Sequence, residues 1–157
     1  MPLVIRPATP GDIPVMIEYN CRLARETEHT ELDAAVLEAG VRAALADPNK
    51  GPYFLADLDG DVVGQMQITY EFSDWRNGWI WWIQGVYVRA DARGRGVFRA
   101  LYEHVREAAQ RDPQVVALRL YVERDNHAAQ QTYLRLGMKW TSYLVMENPV
   151  MENPRPL

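Results

Sequence analysis

The sequence has a single cysteine, Cys21, so no disulfide can form within the chain. Its three histidines, at 29, 104 and 127, stand at no metal-ligand spacing, and no metal site is expected. No stretch approaches the roughly 18 consecutive apolar residues of a membrane-spanning helix. Nor does a charged N-terminal stretch lead into a long apolar one. The chain is therefore read as cytoplasmic, with no membrane partner. Positive charge is not in excess either: 17 Lys and Arg stand against 21 Asp and Glu, a formal net charge of −4. That balance argues against general nucleic-acid binding, which needs a basic face.

What is present is ordinary for a globular protein: 48% apolar and 24% charged residues in a chain of 157. This length suits one domain with one core, read here as residues 1–147. The proline-rich end, 148–157, is expected to fray. Its repeated Val-Met-Glu-Asn-Pro, at 145–149 and 150–154, is too short to be a structural repeat.

Leu3-Val4-Ile5 reads as a first strand. Thr9-Pro10-Gly11-Asp12 reads as a helix start, with Thr9 as N-cap and Pro10 at the first helical position. An apolar stripe of Ile13, Met16, Ile17, Cys21 and Ala24 carries that helix to about residue 25 and gives Cys21 a core position. A polar connector, Glu26 to Glu31, leads to a second helix that stops before Asp47-Pro48. Tyr53–Leu58 and Val62–Phe72 flank Asp59-Gly60, a hairpin signal, and Asn77-Gly78 marks the next turn. Trp79–Arg89 is almost continuously apolar, as expected of a central strand covered on both faces, and Gly85 within it suggests a bulge. A helix, a strand at Val115–Val122, a helix at Asn126–Leu136 stopped by Gly137, and a last strand at Met138–Met146 complete the order.

The most informative stretch runs from Val86 to Val105. It is the end of an apolar strand, the turn Arg93-Gly94-Arg95-Gly96, and an amphipathic helix with Phe98, Leu101, Tyr102 and Val105 on one face. The first turn of a helix offers amide groups without intrahelical partners and the positive end of a dipole. Two glycines let a ligand approach the backbone, and Arg93, Arg95 and Arg99 add positive charge. Such a turn is an anion site, most naturally for phosphate.

Arg93-Gly94-Arg95-Gly96-Val97-Phe98 resembles the Q/R-x-x-G-x-G/A signature of the GNAT superfamily of acyl-CoA-dependent N-acyltransferases. Arg93 and Gly96 match the pattern, and Phe98 departs from it. The element order also resembles that family along essentially the whole chain. Asn126, Ala129 and Tyr133 in Asn-His-Ala-Ala-Gln-Gln-Thr-Tyr are similar to its N-x-x-A-x-x-x-Y segment. The resemblance implies an α+β, mixed α/β fold: a mostly antiparallel twisted sheet of six to seven strands flanked by four helices. It also implies acetyl-CoA or coenzyme A as co-substrate. Val86, Tyr87 and Val88 would pair with the pantetheine arm, and the turn Arg93, Gly94, Arg95, Gly96, Val97, Phe98 and Arg99 would hold the pyrophosphate. Asn126 and Tyr133 would complete the coenzyme site.

In the same reading Tyr133 protonates the departing thiolate, against the alternative of a core tyrosine. Asn126 either contacts coenzyme or only caps its helix. Many relatives carry a glutamate on the central strand where this chain has Trp82, with Gln84 nearby, so the base is sought elsewhere. Glu71 and Glu28 are the candidates for it. Glu26, Glu28, Glu71, Asp74, Trp82 and Gln84 are candidates for the acceptor pocket, with Glu31 as one more; acidic side chains there would attract a cationic amine. Trp75, Trp79, Trp81 and Trp82 are read first as core filling and second as an aromatic wall beside the acceptor. The histidines are expected to face solvent. The expected activity is acetyl transfer from acetyl-CoA to a primary amine of a small molecule, by direct attack in a ternary complex. The alternatives are a protein acetyltransferase acting on lysine or an N-terminus, and a non-catalytic acyl-CoA-binding module. The resemblance also admits a homodimer.

Overall fold

The computed structural model describes residues 2–151. Its contacts divide the chain into two units, 1–121 and 122–157. The end of the second Val-Met-Glu-Asn-Pro and the rest of the tail lie outside the described residues.

The first unit is a five-stranded sheet in the order β1-β2-β3-β4-β5. The strands are β1 (Leu3–Pro7), β2 (Tyr53–Leu58), β3 (Asp61–Ser73), β4 (Gly78–Val88) and β5 (Val115–Leu120). Neighbours run antiparallel up to β4, which pairs in parallel with β5. That parallel pair needs a crossover, and α3 (Val97–Arg111) supplies it. Helices α1 (Ile13–Glu28) and α2 (Ala34–Ala46) sit between β1 and β2 in sequence.

The entry to α1 is fixed by charge as well as by caps. Residues Pro10–Asp12 form a single 3₁₀ turn with Thr9 as its N-cap. The Asp12 carboxylate accepts from the Thr9 amide at 2.7 Å and from its hydroxyl at 3.0 Å. The Arg6 guanidinium reaches both Asp12 oxygens at 2.9 Å and Asp57 at 3.0 Å, binding β1, β2 and the start of α1 together. Arg6 holds the Asp12 carboxyl down at about 2, well below the usual carboxylate range. Helix α1 runs past the expected end near residue 25, so Glu26 and Glu28 are helical rather than part of a connector. His29, at φ 51°, ends it in the left-handed region. Helix α2 starts at Ala34, where Asp33 accepts from the amides of Ala35 and Val36.

The core between α1, α2 and the sheet gathers Ile13, Met16, Val41, Ala44, Tyr53 and Leu55. Leu101, Tyr102 and Val105 bury the amphipathic face of α3 as its spacing predicts, with Val97 buried beside them and Phe98 only half-buried. Alternation along β3 separates Gly64, Met66, Ile68, Tyr70 and Phe72 from Val63, Gln65, Gln67, Thr69 and Glu71. The first set faces α3, whose Val97 side chain lies where a Cβ on Gly64 would stand.

Several expectations are corrected. Among the described residues the sheet has five strands, not six to seven, because Met138–Met146 forms no strand. None of Trp75, Trp79, Trp81 and Trp82 is buried, so β4 is not covered on both faces at this end, and Trp75 is 92% exposed in its turn. Tyr70, Phe72, Trp79 and Trp81 instead form a ladder of edge-on contacts with ring centroids 5.2–6.4 Å apart. His104 packs against Phe54 with centroids 5.3 Å apart rather than facing solvent, and Cys21 is only half-buried.

In the second unit α4 (His127–Arg135) starts at Asn126, whose side-chain oxygen accepts from the Ala129 amide at 3.2 Å. Gln130 donates to the carbonyls of Glu123 and Arg124, which closes the loop before the helix. Gly137, at φ 95°, follows the helix end.

Candidate active site

The site starts from an irregularity in β4. Gln65 pairs with Tyr87 and Gln67 with Gln84, so Met66 alone opposes Gly85 and Val86. This is a bulge, and Gly85 takes φ 58°, a left-handed conformation that glycine adopts without steric cost. Gln65 is fully buried beneath it. Its amide nitrogen donates to the Gly85 carbonyl at 3.0 Å, while its Oε1 has no hydrogen-bond partner among the described residues.

On its other side β4 has a strand partner only from Trp79 to Ile83, where Ile83 meets Leu120. From Gln84 to Val88 no strand pairs with that edge among the described residues. An extended arm can therefore lie along Val86, Tyr87 and Val88, next to a bulge whose amides are outside the regular ladder. The cradle and the arm site are consecutive in the chain. Gly94 (φ 75°) and Gly96 (φ 80°) both turn the backbone left-handed, and a Cβ on either would meet nothing within 4 Å. The first helical bond of α3 is Ala100 N–H to Gly96 O, so the amides of Val97, Phe98 and Arg99 precede the helical ladder. Val97 contributes only backbone, since its side chain is buried, and Phe98 packs 6.1 Å from Tyr102.

The arginines divide into two kinds. Arg93, Arg95 and Arg99 are exposed. Arg89 is held by Asp61 at 2.8 Å and by Asp91 at 2.6 Å, which lowers both carboxyls and makes it a structural cation. Arg93 donates to the Val88 carbonyl at 2.9 Å and to Glu26 at 2.7 Å, and its guanidinium stands 5.4 Å over the Tyr87 ring. The Tyr87 hydroxyl donates to the same Glu26 at 3.3 Å. Glu26 is thus paired with Arg93 of the glycine turn and with Tyr87.

The remaining acceptor candidates separate. Glu71 accepts from the Trp82 indole N–H at 3.0 Å, and Gln84 donates to the Thr69 hydroxyl at 2.9 Å. These four share the sheet face opposite α3. Trp82 stacks on Tyr121, centroids 4.5 Å apart and rings 21° from parallel, and Arg119 stands 5.9 Å from the Trp82 ring. Asp74 lies in the turn after β3, Glu28 is exposed at the end of α1, and Glu31 pairs with Arg25 at 2.8 Å. Arg119 and Tyr121 had no signal in the sequence, because only the β4–β5 register puts them beside Trp82.

In the second unit Tyr133 is half-buried on α4, and burial pushes its phenol above the ordinary tyrosine value. Asn126 has the capping role. Among the described residues no cluster of His, Cys, Asp and Glu could hold a metal ion, and no helix is long and apolar enough to cross a membrane.

The model of the Acetyltransferase (GNAT) family matches residues 15–138. The chain belongs to this family. It is 30% identical over 140 residues to the aminoalkylphosphonate N-acetyltransferase of Salmonella typhimurium, covering 88% of this chain and 86% of that protein. A possible acetyltransferase from Clostridium difficile 630 is 41% identical, with a TM-score of 0.90 over 96% of this chain and 99% of its own. A predicted acetyltransferase from Clostridium acetobutylicum, solved with acetyl-CoA, shares the fold at 19% identity, with a TM-score of 0.75 over 94% of this chain and 96% of its own. This GNAT chain is an acetyl-CoA-dependent acetyltransferase. The open edge of β4, the bulge and the glycine turn fit that co-substrate: an extended arm, a carbonyl and a pyrophosphate in sequence.

Proposed function

We propose that this GNAT enzyme transfers the acetyl group of acetyl-CoA to the primary amine of a small molecule, by direct attack within a ternary complex. The observation that carries the reading is the adjacency, along one strand, of the bulge at Gly85–Val86 and the Glu71–Trp82 patch. A thioester carbonyl at the bulge amides would lie beside a carboxylate and an aromatic face able to hold an ammonium group. Holding both reactants there supplies much of the acceleration. Glu71 takes the amine proton, directly or through water. The amine nitrogen then bonds to the carbonyl carbon, the carbon–sulfur bond breaks, and Tyr133 gives its proton to the thiolate. A phenol with a raised pKa holds that proton throughout the neutral range. Arg119 beside Trp82 supplies a cation next to the same patch. With the aminoalkylphosphonate-acetylating relative, this favours an amine that also carries an anionic group.

The test is a thiol-release assay across aminoalkylphosphonates, amino acids, polyamines and peptides, followed by Tyr133→Phe. Intersecting initial-rate lines and small amines preferred over peptides by about tenfold or more in kcat/KM are expected. Tyr133→Phe should lower kcat about 100-fold and leave acetyl-CoA affinity unchanged. Turnover of peptides alone, or wild-type kcat in Tyr133→Phe, would overturn the reading.

A further inference from the structure

Glycine makes the β4 bulge possible, but it does not aim it. At φ 58° Gly85 avoids the strain a side chain would meet, and the same freedom leaves the next peptide plane weakly determined by local sterics. The register between β3 and β4 also shifts there, so a regular ladder does not set that plane. Another group must hold it, and Gln65 is placed to do so.

Gln65 stands on β3 opposite Tyr87 and is fully buried. Its Nε2 donates to the Gly85 carbonyl at 3.0 Å. Because a carbonyl only accepts, this contact fixes which end of the carboxamide faces the bulge. The Oε1 is left buried with no hydrogen-bond partner among the described residues. A buried amide satisfied at one end costs stability, and an apolar side chain of similar size would fill the space without that cost. Packing does not require a glutamine here; the bond to Gly85 does. The same spot is backed from α1. The Asn20 Oδ1 and the Tyr53 hydroxyl lie 3.6 and 3.8 Å from where a Cβ on Gly85 would stand. Asn20 in turn donates to the Met16 carbonyl at 2.9 Å and to Tyr53 at 3.4 Å.

The Gly85 carbonyl and the Val86 N–H belong to one planar trans peptide, in which oxygen and hydrogen point in opposite directions. Holding the oxygen toward Gln65 therefore turns the Val86 N–H away from it. We infer that Gln65 is a positioning residue for acetyl transfer: by anchoring the Gly85 carbonyl it aims the Val86 N–H at the thioester oxygen of acetyl-CoA. This rests on the proposed function, which puts the thioester carbonyl at the bulge amides. A donor fixed in advance needs no reorientation as negative charge develops on that oxygen. A peptide free to rock loses the advantage while the coenzyme still binds.

Isotope-edited infrared spectroscopy of acetyl-CoA labelled at its carbonyl carbon tests this without turnover. Bound to the wild type, the thioester stretch should lie below its frequency in free acetyl-CoA, as for any hydrogen-bonded carbonyl. Gln65→Met keeps the side-chain length and removes the donor. In it the stretch should return most of the way to the free value, with acetyl-CoA affinity by calorimetry within about twofold of wild type. Gln65→Asn keeps the amide but draws it back by one methylene, and should do the same in an interior that stays polar. With an aminoalkylphosphonate as acceptor, both variants should lower kcat about 30-fold, less than the loss of a whole oxyanion donor, and leave both KM values within about twofold. A glutamine that serves only the fold would instead lower the thermal midpoint and leave kcat and the stretch unchanged. That outcome would overturn the inference alone. A wild-type stretch no lower than that of free acetyl-CoA would overturn the thioester placement and this inference with it.

Discussion

The two halves of the candidate site are built in different ways. On the coenzyme side a single run of chain, from Val86 to Arg99, supplies an open strand edge, a left-handed glycine turn and the first amides of α3. What it offers is mainly backbone groups, whose positions follow once two glycines fall where φ is positive. On the acceptor side Thr69, Glu71, Trp82, Gln84, Arg119 and Tyr121 come from or adjoin three strands and meet only through register. Their chemistry is in side chains, and a slip of one residue would turn every one of them to the other face. The first kind of site is robust and general. The second can be rebuilt by substitution without disturbing the fold, which is where a family that shares one cofactor can vary its substrate.

If that division holds, substitutions on the two sides should separate in what they change. The largest effect belongs to Gly96→Val. A β-branched residue at φ 80° is strained by ~1–2 kcal/mol, and its relief would pull the turn out of its left-handed course. Acetyl-CoA affinity measured by calorimetry should fall about 100-fold, with the fold retained by circular dichroism. Unchanged affinity would mean that the turn is not the pyrophosphate site. Next comes Trp82→Leu, which removes the stack on Tyr121 and the N–H that fixes Glu71. Steady-state kinetics should show KM for the amine raised about tenfold, while acetyl-CoA affinity stays within about twofold of wild type. A loss of acetyl-CoA affinity in this variant would break the separation.

The same contrast explains what could be read in advance. Arg93, Gly94 and Gly96 announce their turn because glycine spacing and helix periodicity are local signals, and the left-handed turn and helix start form where they place them. The hairpin at Asp59-Gly60 and the bulge at Gly85 are legible for the same reason. Arg119 and Tyr121 carry no local mark, since nothing short of the β4–β5 pairing shows that they neighbour Trp82. The tryptophans mislead because a run of large apolar residues has the same composition whether its face is covered or open. Met138–Met146 reads as a strand from its own residues, but a strand also needs a ladder with a neighbouring strand, which no local pattern records.

Glu26 gives the smallest effect and the sharpest division. An acid near the end of α1 suggests a ligand for a cationic amine, yet its carboxylate lies 2.7 Å from Arg93 and accepts from Tyr87. Both partners of that ion pair are about half exposed, so it contributes well under ~1 kcal/mol. A pyrophosphate that reaches the turn must still take the guanidinium from it. Glu26→Gln leaves the side-chain length unchanged and frees Arg93, so acetyl-CoA should bind about threefold tighter by calorimetry. The gain should shrink as added salt screens the pair. KM for the amine should not move. A raised amine KM with unchanged acetyl-CoA affinity would return Glu26 to the acceptor side and erase the boundary drawn between the two halves.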